Sequence, residues 1–224
     1  MRIVTSKGGA GLLYRELRSL FDQPLPGVES QVQLAPAGRV KDIFKTPLNR
    51  QPVCSGVLLL LYLRKGVLTL CFIRRPEYPG IHSGQMAFPG GRCEDCDRDS
   101  MDTALRETEE ETGVARDQCR ILGKLTPLYI PPSNYMVYPY VALVNDDPVF
   151  TPDPAEVAGI VEVPLRDLLK PDIVKLIPPS ESFGFLEVPA YVCNGSVIWG
   201  ATAMITAEWV EMVRRHGPEK LPGF

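Results

Sequence analysis

The spacing of hydrophobic positions predicts a chain that begins with a helix and continues into a β-hairpin. Leucines and a phenylalanine recur at helical spacing over residues 11–21, which is typical of an amphipathic helix. Two apolar runs rich in β-branched and leucine residues follow at Val57–Leu63 and Val67–Ile73. Because only Arg64-Lys65-Gly66 separates these runs, we predict that they form a hairpin.

A second helix is predicted over residues 100–112, since Asp99 can cap its start and Gly113 can end it. Further strand-like stretches alternate with turns rich in proline, glycine and asparagine. These stretches are Met86–Phe88, Cys119–Ile130, Tyr135–Val144, Val157–Val163, Phe183–Val192 and Ser196–Trp199. A short helix near residues 165–169 and a last helix over residues 201–215 complete the pattern. This mixture predicts a single α/β domain.

We divide the 224 residues into an N-terminal helical extension packed on the domain (1–50), the domain itself (51–216) and a C-terminal tail (217–224). A composition of 45% hydrophobic and 23% charged residues is typical of soluble globular proteins. The longest apolar run, Val57–Leu63, is far shorter than the ~20 residues that span a bilayer. Charged residues interrupt the leucines near the N-terminus, unlike in a secretory signal, so we expect a cytoplasmic protein.

Six cysteines are too few to form a disulfide scaffold in a chain of this length. Cys93 and Cys96 form an isolated CxxC pair, whereas a structural zinc ion normally needs a second pair of ligands. Only His82, His216 and isolated cysteines are available for that second pair. We therefore favour two unpartnered thiols in a loop, with a zinc or redox role for the pair as the alternative.

The net charge of −3 hides an uneven distribution of charge along the chain. Residues 94–111 contain nine acidic and two basic side chains, a net charge of −7, which leaves +4 on the rest of the chain. Near-balanced charge argues against a protein that binds nucleic-acid polymers. The distribution fits an enzyme that holds divalent cations in one place and admits a small polyanionic nucleotide around it.

Three carboxylates in the acidic segment lie on one side of the predicted helix, because Glu107, Glu110 and Glu111 are spaced i, i+3 and i+4. Like charges at this spacing destabilise a helix, and they lie at its C-terminal end, where the dipole favours cations. Mg²⁺ or Mn²⁺ would resolve this conflict, since both bind carboxylate and phosphate oxygens. Arg106 lies one turn before Glu110 and can pair with it. The alternative is a solvated acidic helix face.

The run from Gly91 to Val114, GRCEDCDRDSMDTALRETEEETGV, resembles the signature box of the Nudix hydrolases. Its second half follows the family pattern of Arg-Glu, an apolar position, Glu-Glu and Gly, with Thr108 at the apolar position. The first half departs from that pattern. Counted from Gly91, the acid is Asp97 instead of a glutamate, and the spacing to Arg106 is one residue longer. Asp97 is therefore not assigned to the metal site.

The segment before the box, RPEYPGIHSGQMAFPGG at residues 75–91, is similar to an extra motif of the coenzyme A pyrophosphatase branch. The longer spacing to Arg106 also resembles that branch, whereas Pro76 and Gly80 depart from it. The departure at Gly80 removes an arginine that would contact phosphate. The resemblance implies an α/β/α sandwich with a mixed sheet and Mg²⁺- or Mn²⁺-dependent cleavage of coenzyme A or its thioesters. The products would be adenosine 3′,5′-bisphosphate and phosphopantetheine.

The resemblance also assigns roles to residues of the box and of the loop before it. Glu107 and Glu111 are the expected metal ligands, with Glu110 as a third ligand or as the base acting on water. Arg106 orients these acids, and Glu110, Arg106 and Glu107 form the expected catalytic set. The expected substrate contacts are Arg74, Arg75, Gly90 and Gly91. Weaker candidates are His82 for phosphate and Tyr129, Asn134, Tyr135 and Tyr138 for a base pocket. Glu156, the position of a base in some family members, is expected to be a solvated loop acid.

The sequence is also compatible with two alternative functions. A Nudix hydrolase of ADP-ribose, NADH or dinucleoside polyphosphates would act on the same linkage beside an adenine. A non-catalytic Nudix-like module would use the fold to sense a nucleotide, although the presence of all three box glutamates favours catalysis. The expected partner is a small nucleotide, with neither a nucleic-acid polymer nor a membrane involved. A homodimer is the default symmetry for an assembly.

Overall fold

The computed structural model describes residues 7–36, 51–77, 84–144, 147–178, 187–193 and 195–221, with the backbone alone for residues 7–10. The helices are α1 (Lys7–Ser19), α2 (Val28–Gln31), α3 (Ser100–Thr112), α4 (Leu165–Leu168) and α5 (Gly200–His216). The strands are β1 (Val53–Arg64), β2 (Val67–Arg74), β3 (Met86–Ala87), β4 (Gly90–Arg92), β5 (Cys119–Lys124), β6 (Leu128–Ile130), β7 (Tyr135–Val144), β8 (Gly159–Pro164), β9 (Val174–Ile177), β10 (Val188–Cys193) and β11 (Ser196–Trp199). Short 3-10 turns are at Leu20–Asp22, Val32–Leu34, Arg116–Gln118 and Pro218–Lys220.

A mixed sheet of eight strands forms the centre of the fold, with the main order β3-β2-β1-β7-β5. β4 pairs with β1, β6 with β7 and β8 with β2. β1 and β7 are parallel, and the other pairs of this sheet are antiparallel. A smaller antiparallel sheet has the order β11-β10-β9. β1 is thus the strand that connects the predicted hairpin, β7 and the short strand β4.

Alternate residues of β1 bury their side chains on opposite faces of the sheet. Leu58 and Leu60 belong to a buried cluster that includes Ala104 of α3. Leu59 belongs to the other, larger cluster, which includes Trp209 of α5. Each buried leucine contributes about 1.5–3 kcal/mol of hydrophobic stabilisation. The sheet is therefore covered by α3 on one face and by α5 on the other, which confirms the expected α/β/α sandwich.

The N-terminal helices pack on the same side of the sheet as α5. The Tyr14 hydroxyl donates a hydrogen bond to the Ile121 carbonyl at 3.1 Å. The ring of Phe21 stacks on Trp209, with the ring centroids 6.3 Å apart. The ring of Phe21 also covers Gly123, where a Cβ atom would come within 2.3 Å of the ring. These contacts join α1 and the turn after it to β5 and α5.

A fully buried carboxylate in α5, that of Glu208, joins the second part of the N-terminal segment to the domain. It accepts hydrogen bonds from the Gly27 amide at 3.2 Å and from Gln31 Nε2 at 2.8 Å. It also accepts hydrogen bonds from the amide of Thr126 and, at 2.6 Å, from its hydroxyl. Four donors from two segments therefore replace the solvation that the buried acid loses.

The structure corrects the predicted strands at several points. The stretch Cys119–Ile130 is two strands, because Pro127 lies between them and cannot donate to a ladder. The turn after Phe88 contains the short strand β4, and β9 was not predicted, since its side chains are mostly exposed. The first part of the predicted stretch Phe183–Val192 lies outside the described residues. No helix in the described part of the chain is long and apolar enough to cross a membrane.

Candidate active site

The helix α3 carries the candidate acids, and its ends are set by the predicted residues. One carboxylate oxygen of Asp99 accepts hydrogen bonds from the amides of Met101 and Asp102, both at 2.9 Å. These bonds satisfy amides that have no partner inside the helix. Gly113 ends the helix with a φ of 75°, a conformation that favours glycine. The helix boundaries of 100–112 are therefore confirmed.

Arg106 is the centre of the acidic cluster, and its side chain is largely buried, with 11% exposed. Its Nη1 atom lies 3.0 Å from Glu107 Oε1 and 3.0 Å from Glu110 Oε2. Its Nη2 atom donates to the Arg92 carbonyl at 3.3 Å. The structure thus brings Arg106, Glu107 and Glu110 together as predicted. Glu109 faces away from them and pairs with Arg116.

Asp97 holds the Arg106 guanidinium with both of its carboxylate oxygens. Arg106 Nε donates to Asp97 Oδ1 at 2.9 Å, and Nη2 donates to Oδ2 at 3.0 Å. The Thr103 hydroxyl and the Glu94 amide also donate to this carboxylate. The pKa of Asp97 is held well below its usual range, chiefly by the hydrogen bonds from Arg106. The sequence did not predict this pair, although an acid close before a helix that carries an arginine is a signal that could have indicated it.

Glu111 lies on the other side of the cluster, buried beneath the backbone of β4. Its Oε2 atom accepts a hydrogen bond from the Gly90 amide at 2.8 Å. The pKa of Glu111 is raised to about 7, chiefly by burial and also by the charges of Glu107 and Glu156, although the Gly90 amide and the charge of Arg75 lower it. The Gly90 amide, predicted to face substrate, therefore binds a carboxylate of the protein. Residue 90 must be glycine because φ is 149° and a Cβ would lie 2.4 Å from the Gly56 carbonyl oxygen.

Gly91 allows the same strand to approach Glu107. A Cβ atom at residue 91 would come within 2.3 Å of the Glu107 carboxyl group. Burial raises the pKa of Glu107, and the neighbouring Arg106 counteracts that rise. The backbone of β4 therefore contacts Glu111 at Gly90 and Glu107 at Gly91. Both positions require glycine for steric reasons.

The two arginines of the loop before the box are placed differently. Arg75 is half-buried, and its charge lowers the pKa of Glu111. Arg74 is exposed, and its Nη2 atom lies 3.4 Å from the Ser196 hydroxyl. The Arg74 carbonyl accepts from the Ala158 amide at 2.8 Å, which ties residues 153–158 to this side of the site. His82, the third candidate of this loop, lies outside the described residues.

Glu156 lies on that same turn, beside the acids of the box. Its side chain is exposed, as expected for a loop acid. Its charge nevertheless raises the pKa of both Glu107 and Glu111, so it lies within electrostatic range of both. Sequence reasoning gave Glu156 no role at the site, and the hydrogen bond between Arg74 and Ala158 explains why it comes close.

The predicted aromatic residues separate into two groups. The Tyr129 hydroxyl donates to Asn134 Oδ1 at 3.0 Å within the turn after β6. Tyr135 packs against the larger hydrophobic cluster and Tyr138 against the smaller one, so they lie on opposite faces of the sheet. Lys124 Nζ lies 4.5 Å from the centroid of the Tyr138 ring. The fold therefore does not bring Tyr129, Asn134, Tyr135 and Tyr138 together into a single base pocket.

A disulfide joins Cys54 of β1 to Cys93, with the two Cα atoms 5.3 Å apart. The expectation that Cys93 and Cys96 are both unpartnered thiols is therefore wrong for Cys93. Cys96 is free and exposed. The cause is the pairing of β1 with β4, which brings two cysteines 39 residues apart to adjacent positions.

Carboxylate oxygens of α3 are the groups in this site that could hold a metal ion. Among the described residues, no three His, Cys, Asp or Glu side chains are arranged as a ready metal cluster. The donor chemistry nevertheless fits a hard divalent cation, since Glu107 and Glu111 are oxygen donors one helical turn apart. Both are acids whose pKa is raised by burial, so their ionised forms gain from a nearby cation.

The sequence of the chain is similar to those of known Nudix hydrolases. The chain is 35% identical over 159 residues to the uncharacterized Nudix hydrolase NudL of Photorhabdus laumondii, covering 71% of this chain and 84% of that protein. It is 43% identical over 145 residues to NudL of Yersinia pestis, covering 65% and 72%. It is 33% identical over 163 residues to the human mitochondrial coenzyme A diphosphatase NUDT8, covering 71% and 69%.

The fold is also similar to that of solved structures. A MutT/nudix family protein from Enterococcus faecalis aligns with a TM-score of 0.51 at 17% identity, over 86% of this chain and 76% of that one. The NUDIX domain family matches residues 53–180, more than half of this chain. The matched range runs from the start of β1 past β9 and includes all the acids of the cluster. The chain therefore belongs to the Nudix hydrolases, a family of pyrophosphohydrolases.

Proposed function

We propose that this chain hydrolyses the pyrophosphate linkage of coenzyme A or its thioesters, releasing adenosine 3′,5′-bisphosphate and phosphopantetheine. The similarity to a human relative described as a coenzyme A diphosphatase supports this substrate. The motif-like segment at residues 75–91 and the long spacing to Arg106 support it independently. The NudL relatives are described as uncharacterized, so they support the family and not the substrate.

One observation carries the catalytic part of the proposal, namely the convergence of three box acids around Arg106 and β4. Glu107 and Glu110 share the Nη1 atom of Arg106, and Glu111 accepts from Gly90. Pyrophosphate hydrolysis mainly requires positioning of the reacting groups and neutralisation of charge on phosphoryl oxygens. A fixed group of carboxylates supports both requirements when it holds a divalent cation.

Glu107 and Glu111 are the proposed ligands of Mg²⁺ or Mn²⁺. When bound, such an ion withdraws charge from phosphoryl oxygens and lowers the pKa of water that it binds. The carboxylates supply hard oxygen donors, and their burial limits competing solvation. The backbone of Gly90 keeps Glu111 in one orientation, which reduces the entropy lost on binding.

Arg106 is the proposed positioning residue of this cluster. Its bidentate pair with Asp97 fixes the plane of the guanidinium, so that Nη1 remains between Glu107 and Glu110. Lysine at position 106 would provide one point charge instead of this planar fork. We therefore expect Arg106 to orient acids and not to contact the substrate.

Glu110 is the proposed acceptor of the proton from the attacking water. Its side chain is 54% exposed, the most accessible of the three acids. Its Oε2 atom is engaged by Arg106, which leaves the second carboxylate oxygen for a proton. Glu156 is the competing base, because it is exposed and lies within electrostatic range of Glu107 and Glu111.

Arg75 is the proposed contact for a phosphate of the substrate. Its electrostatic effect on Glu111 supports a place at the rim of the cluster. Arg74 is a weaker candidate, since its guanidinium lies near Ser196. A cation at this rim would attract the polyanionic substrate towards a site that is otherwise rich in acids.

A substrate panel tests the proposed function. The protein is assayed with Mg²⁺ and with Mn²⁺ on coenzyme A, acetyl-coenzyme A, ADP-ribose, NADH and diadenosine polyphosphates, and products are quantified by chromatography. We expect kcat/KM for coenzyme A or its thioester to exceed the others by at least about tenfold. Preference for another compound would contradict the substrate, and absence of hydrolysis throughout, with tight nucleotide binding, would favour a nucleotide sensor.

A further inference from the structure

The disulfide Cys54–Cys93 lies at the end of the strand that supports the acidic cluster. Cys93 directly follows β4, which pairs with β1 through only three residue pairs, the last being Ser55 with Arg92. The Cys93 amide donates to the Cys54 carbonyl at 3.0 Å. The disulfide therefore extends a short ladder by a covalent connection between the same two segments.

The residues on both sides of Cys93 hold Arg106. The carbonyl of Arg92 accepts from Arg106 Nη2, and Asp97 accepts from Nε and Nη2. The amide of Gly90, at the start of the same strand, donates to Glu111. A change in the position of Cys93 is therefore expected to affect both the guanidinium and the buried acid.

Cys96 is the exposed free thiol that lies nearest in sequence to this disulfide. It is exposed, three residues after Cys93, in a turn closed by a 3.0 Å hydrogen bond from the Asp97 amide to the Glu94 carbonyl. CxxC spacing is characteristic of thiol–disulfide exchange. The remaining free cysteines, Cys71, Cys119 and Cys193, are buried.

Burial also makes those three thiols unreactive. It raises the pKa of Cys119 to about 12 and that of Cys193 to about 11, and it raises that of Cys71 further. The thiolate is the nucleophile in exchange, so these cysteines contribute little near neutral pH. Cys96 is consequently the free cysteine of this chain with access both to solvent and to the segment that carries the disulfide.

We propose that Cys54, Cys93 and Cys96 form a thiol–disulfide exchange site that controls the position of β4 and accepts a dithiol reductant. In the first step the Cys96 thiolate attacks Cys93 Sγ. The Cys93–Cys96 bond forms, the Cys54–Cys93 bond breaks, and Cys54 leaves as a thiolate that takes up the proton lost by Cys96. In the second step an external dithiol reduces the Cys93–Cys96 bond and is itself oxidised to a disulfide.

The chemistry of exchange is tested by mass spectrometry of the full-length protein, without any reference to hydrolysis. Protein purified without reductant is treated with a fixed low concentration of dithiothreitol, quenched in acid at intervals and alkylated. We expect a transient species with Cys54 alkylated and Cys93 bonded to Cys96. Cys96→Ser should slow the loss of the Cys54–Cys93 bond at least about tenfold, because the internal nucleophile is lost.

Cys119→Ala serves as the matched control, since it removes a buried thiol and should leave the rate of exchange unchanged. The proposal would be overturned by a Cys96→Ser variant that loses the disulfide at the wild-type rate. It would also be overturned if protein equilibrated with oxidised glutathione contained no Cys54–Cys93 bond.

The effect on the site is measured by hydrogen–deuterium exchange of residues 90–92 and by kinetics in both redox states of the wild-type protein. Because both redox states are those of the wild-type protein, the measurement does not require a Cys54→Ser variant, whose folding could differ from that of wild type. The kinetic part of this test rests on the proposed function. We expect reduction of the disulfide to lower kcat for coenzyme A about tenfold, with a smaller change in KM. We also expect reduction to accelerate hydrogen–deuterium exchange at residues 90–92.

The possible failures are distinguishable. Unchanged hydrogen exchange and unchanged kcat on reduction would overturn control of the site by this disulfide. Absence of hydrolysis in both redox states, with thiol exchange and hydrogen exchange as expected, would contradict the proposed function and support the exchange site. Restoration of the oxidised values by oxidised glutathione would support a reversible control.

Discussion

Asp97 and Arg106 form a bidentate ion pair across the first turns of α3, with N–O distances of 2.9 and 3.0 Å. The Asp97 side chain is only 2% exposed, so the pair lies in a partly dehydrated environment. This pair fixes the guanidinium that Glu107 and Glu110 share. Asp97, which departs from the family spacing, thus holds Arg106 in place and has no direct contact with Glu107 or Glu110 among its hydrogen bonds.

Asp97→Asn should destabilise the protein in a manner that depends on pH. The pKa of Asp97 is lowered in the folded state, so its ionised form stabilises the fold above the ordinary carboxyl pKa of about 3.9. That contribution is lost as the pH falls through the lower folded-state pKa. We expect a loss of about 2–4 kcal/mol at pH 7, measured by urea unfolding in EDTA, and a smaller loss at each step from pH 5 to pH 2.

Asp22→Asn is the control for this effect, because Asp22 forms an ion pair with Arg18 in which both side chains are largely exposed. It should produce no measurable change in the free energy of unfolding. A loss for Asp97→Asn that is equal at pH 7 and at pH 3 would mean that charge pairing is not its cause.

Gly91→Ala should abolish most of the activity while preserving the fold. The added Cβ would lie within 2.3 Å of the Glu107 carboxyl, so that side chain must move. Misplacement by about 1 Å can cost about a hundredfold in rate, and we expect kcat to fall by that factor. Gly11→Ala is the control, since a Cβ there meets no atom within 4 Å. Activity of Gly91→Ala within threefold of wild type would contradict the role given to this contact.

Glu111→Gln should stabilise the metal-free protein while it removes activity. Burial raises the pKa of Glu111 to about 7, so the cost of its charge is absent below the unfolded pKa near 4.5. This cost grows up to pH 7 and is complete above it. We expect the free energy of unfolding of metal-free Glu111→Gln to exceed that of wild type by up to about 3 kcal/mol at pH 8. At pH 4.5 the two free energies should be equal. Addition of Mg²⁺ should raise Tm more for wild type than for the variant.

Thermal unfolding in EDTA and in Mg²⁺ at both pH values provides this measurement. Glu109→Gln is the matched control, since Glu109 is on the same helix but pairs with Arg116 away from the cluster. Equal stabilisation by Mg²⁺ of wild type and Glu111→Gln would show that Glu111 does not take part in binding the ion.

Glu208→Ala should detach the N-terminal helices from the domain. The change leaves the donors of Gly27, Gln31 and Thr126 without their buried acceptor. We expect a loss of about 3 kcal/mol or more in the free energy of unfolding, together with faster proteolysis within residues 7–36. Glu211→Gln, one turn later at a partly exposed ion pair, should change neither quantity. Cleavage of Glu208→Ala within residues 7–36 at the wild-type rate or more slowly would contradict this account.

The sequence predicted the box helix and its bounds because the signals are local. A capping acid, a terminal glycine and the spacing of three glutamates act within one helix, and each is visible without knowledge of the fold. The same holds for the hairpin of β1 and β2, whose turn contains Gly66 with a φ of 80°. The parallel pairing of β1 with β7 joins distant segments, and no pattern in the sequence predicted it.

The features that sequence reasoning missed depend on contacts between distant segments. The Cys54–Cys93 disulfide requires the register of β1 with β4, and the place of Glu156 requires the contact between Ala158 and Arg74. The short strand β9 lacks a buried face, so no alternation marks it in the sequence. Thr108 differs from these features, because it was predicted at an apolar position of the box and its contact is local. It is fully buried, and its hydroxyl donates to the Ala104 carbonyl of the same helix at 2.6 Å.

The central claim is that the acids of α3 hold the divalent cation that supports cleavage of a pyrophosphate linkage. Its most direct test is the Mg²⁺-dependent kcat/KM for coenzyme A of wild type and of the double variant Glu107→Gln with Glu111→Gln, with circular dichroism to verify the fold. We expect a decrease of at least about a thousandfold, since the variant keeps its shape and loses two ligand charges. A folded double variant that retains kcat/KM within tenfold of wild type would contradict the claim.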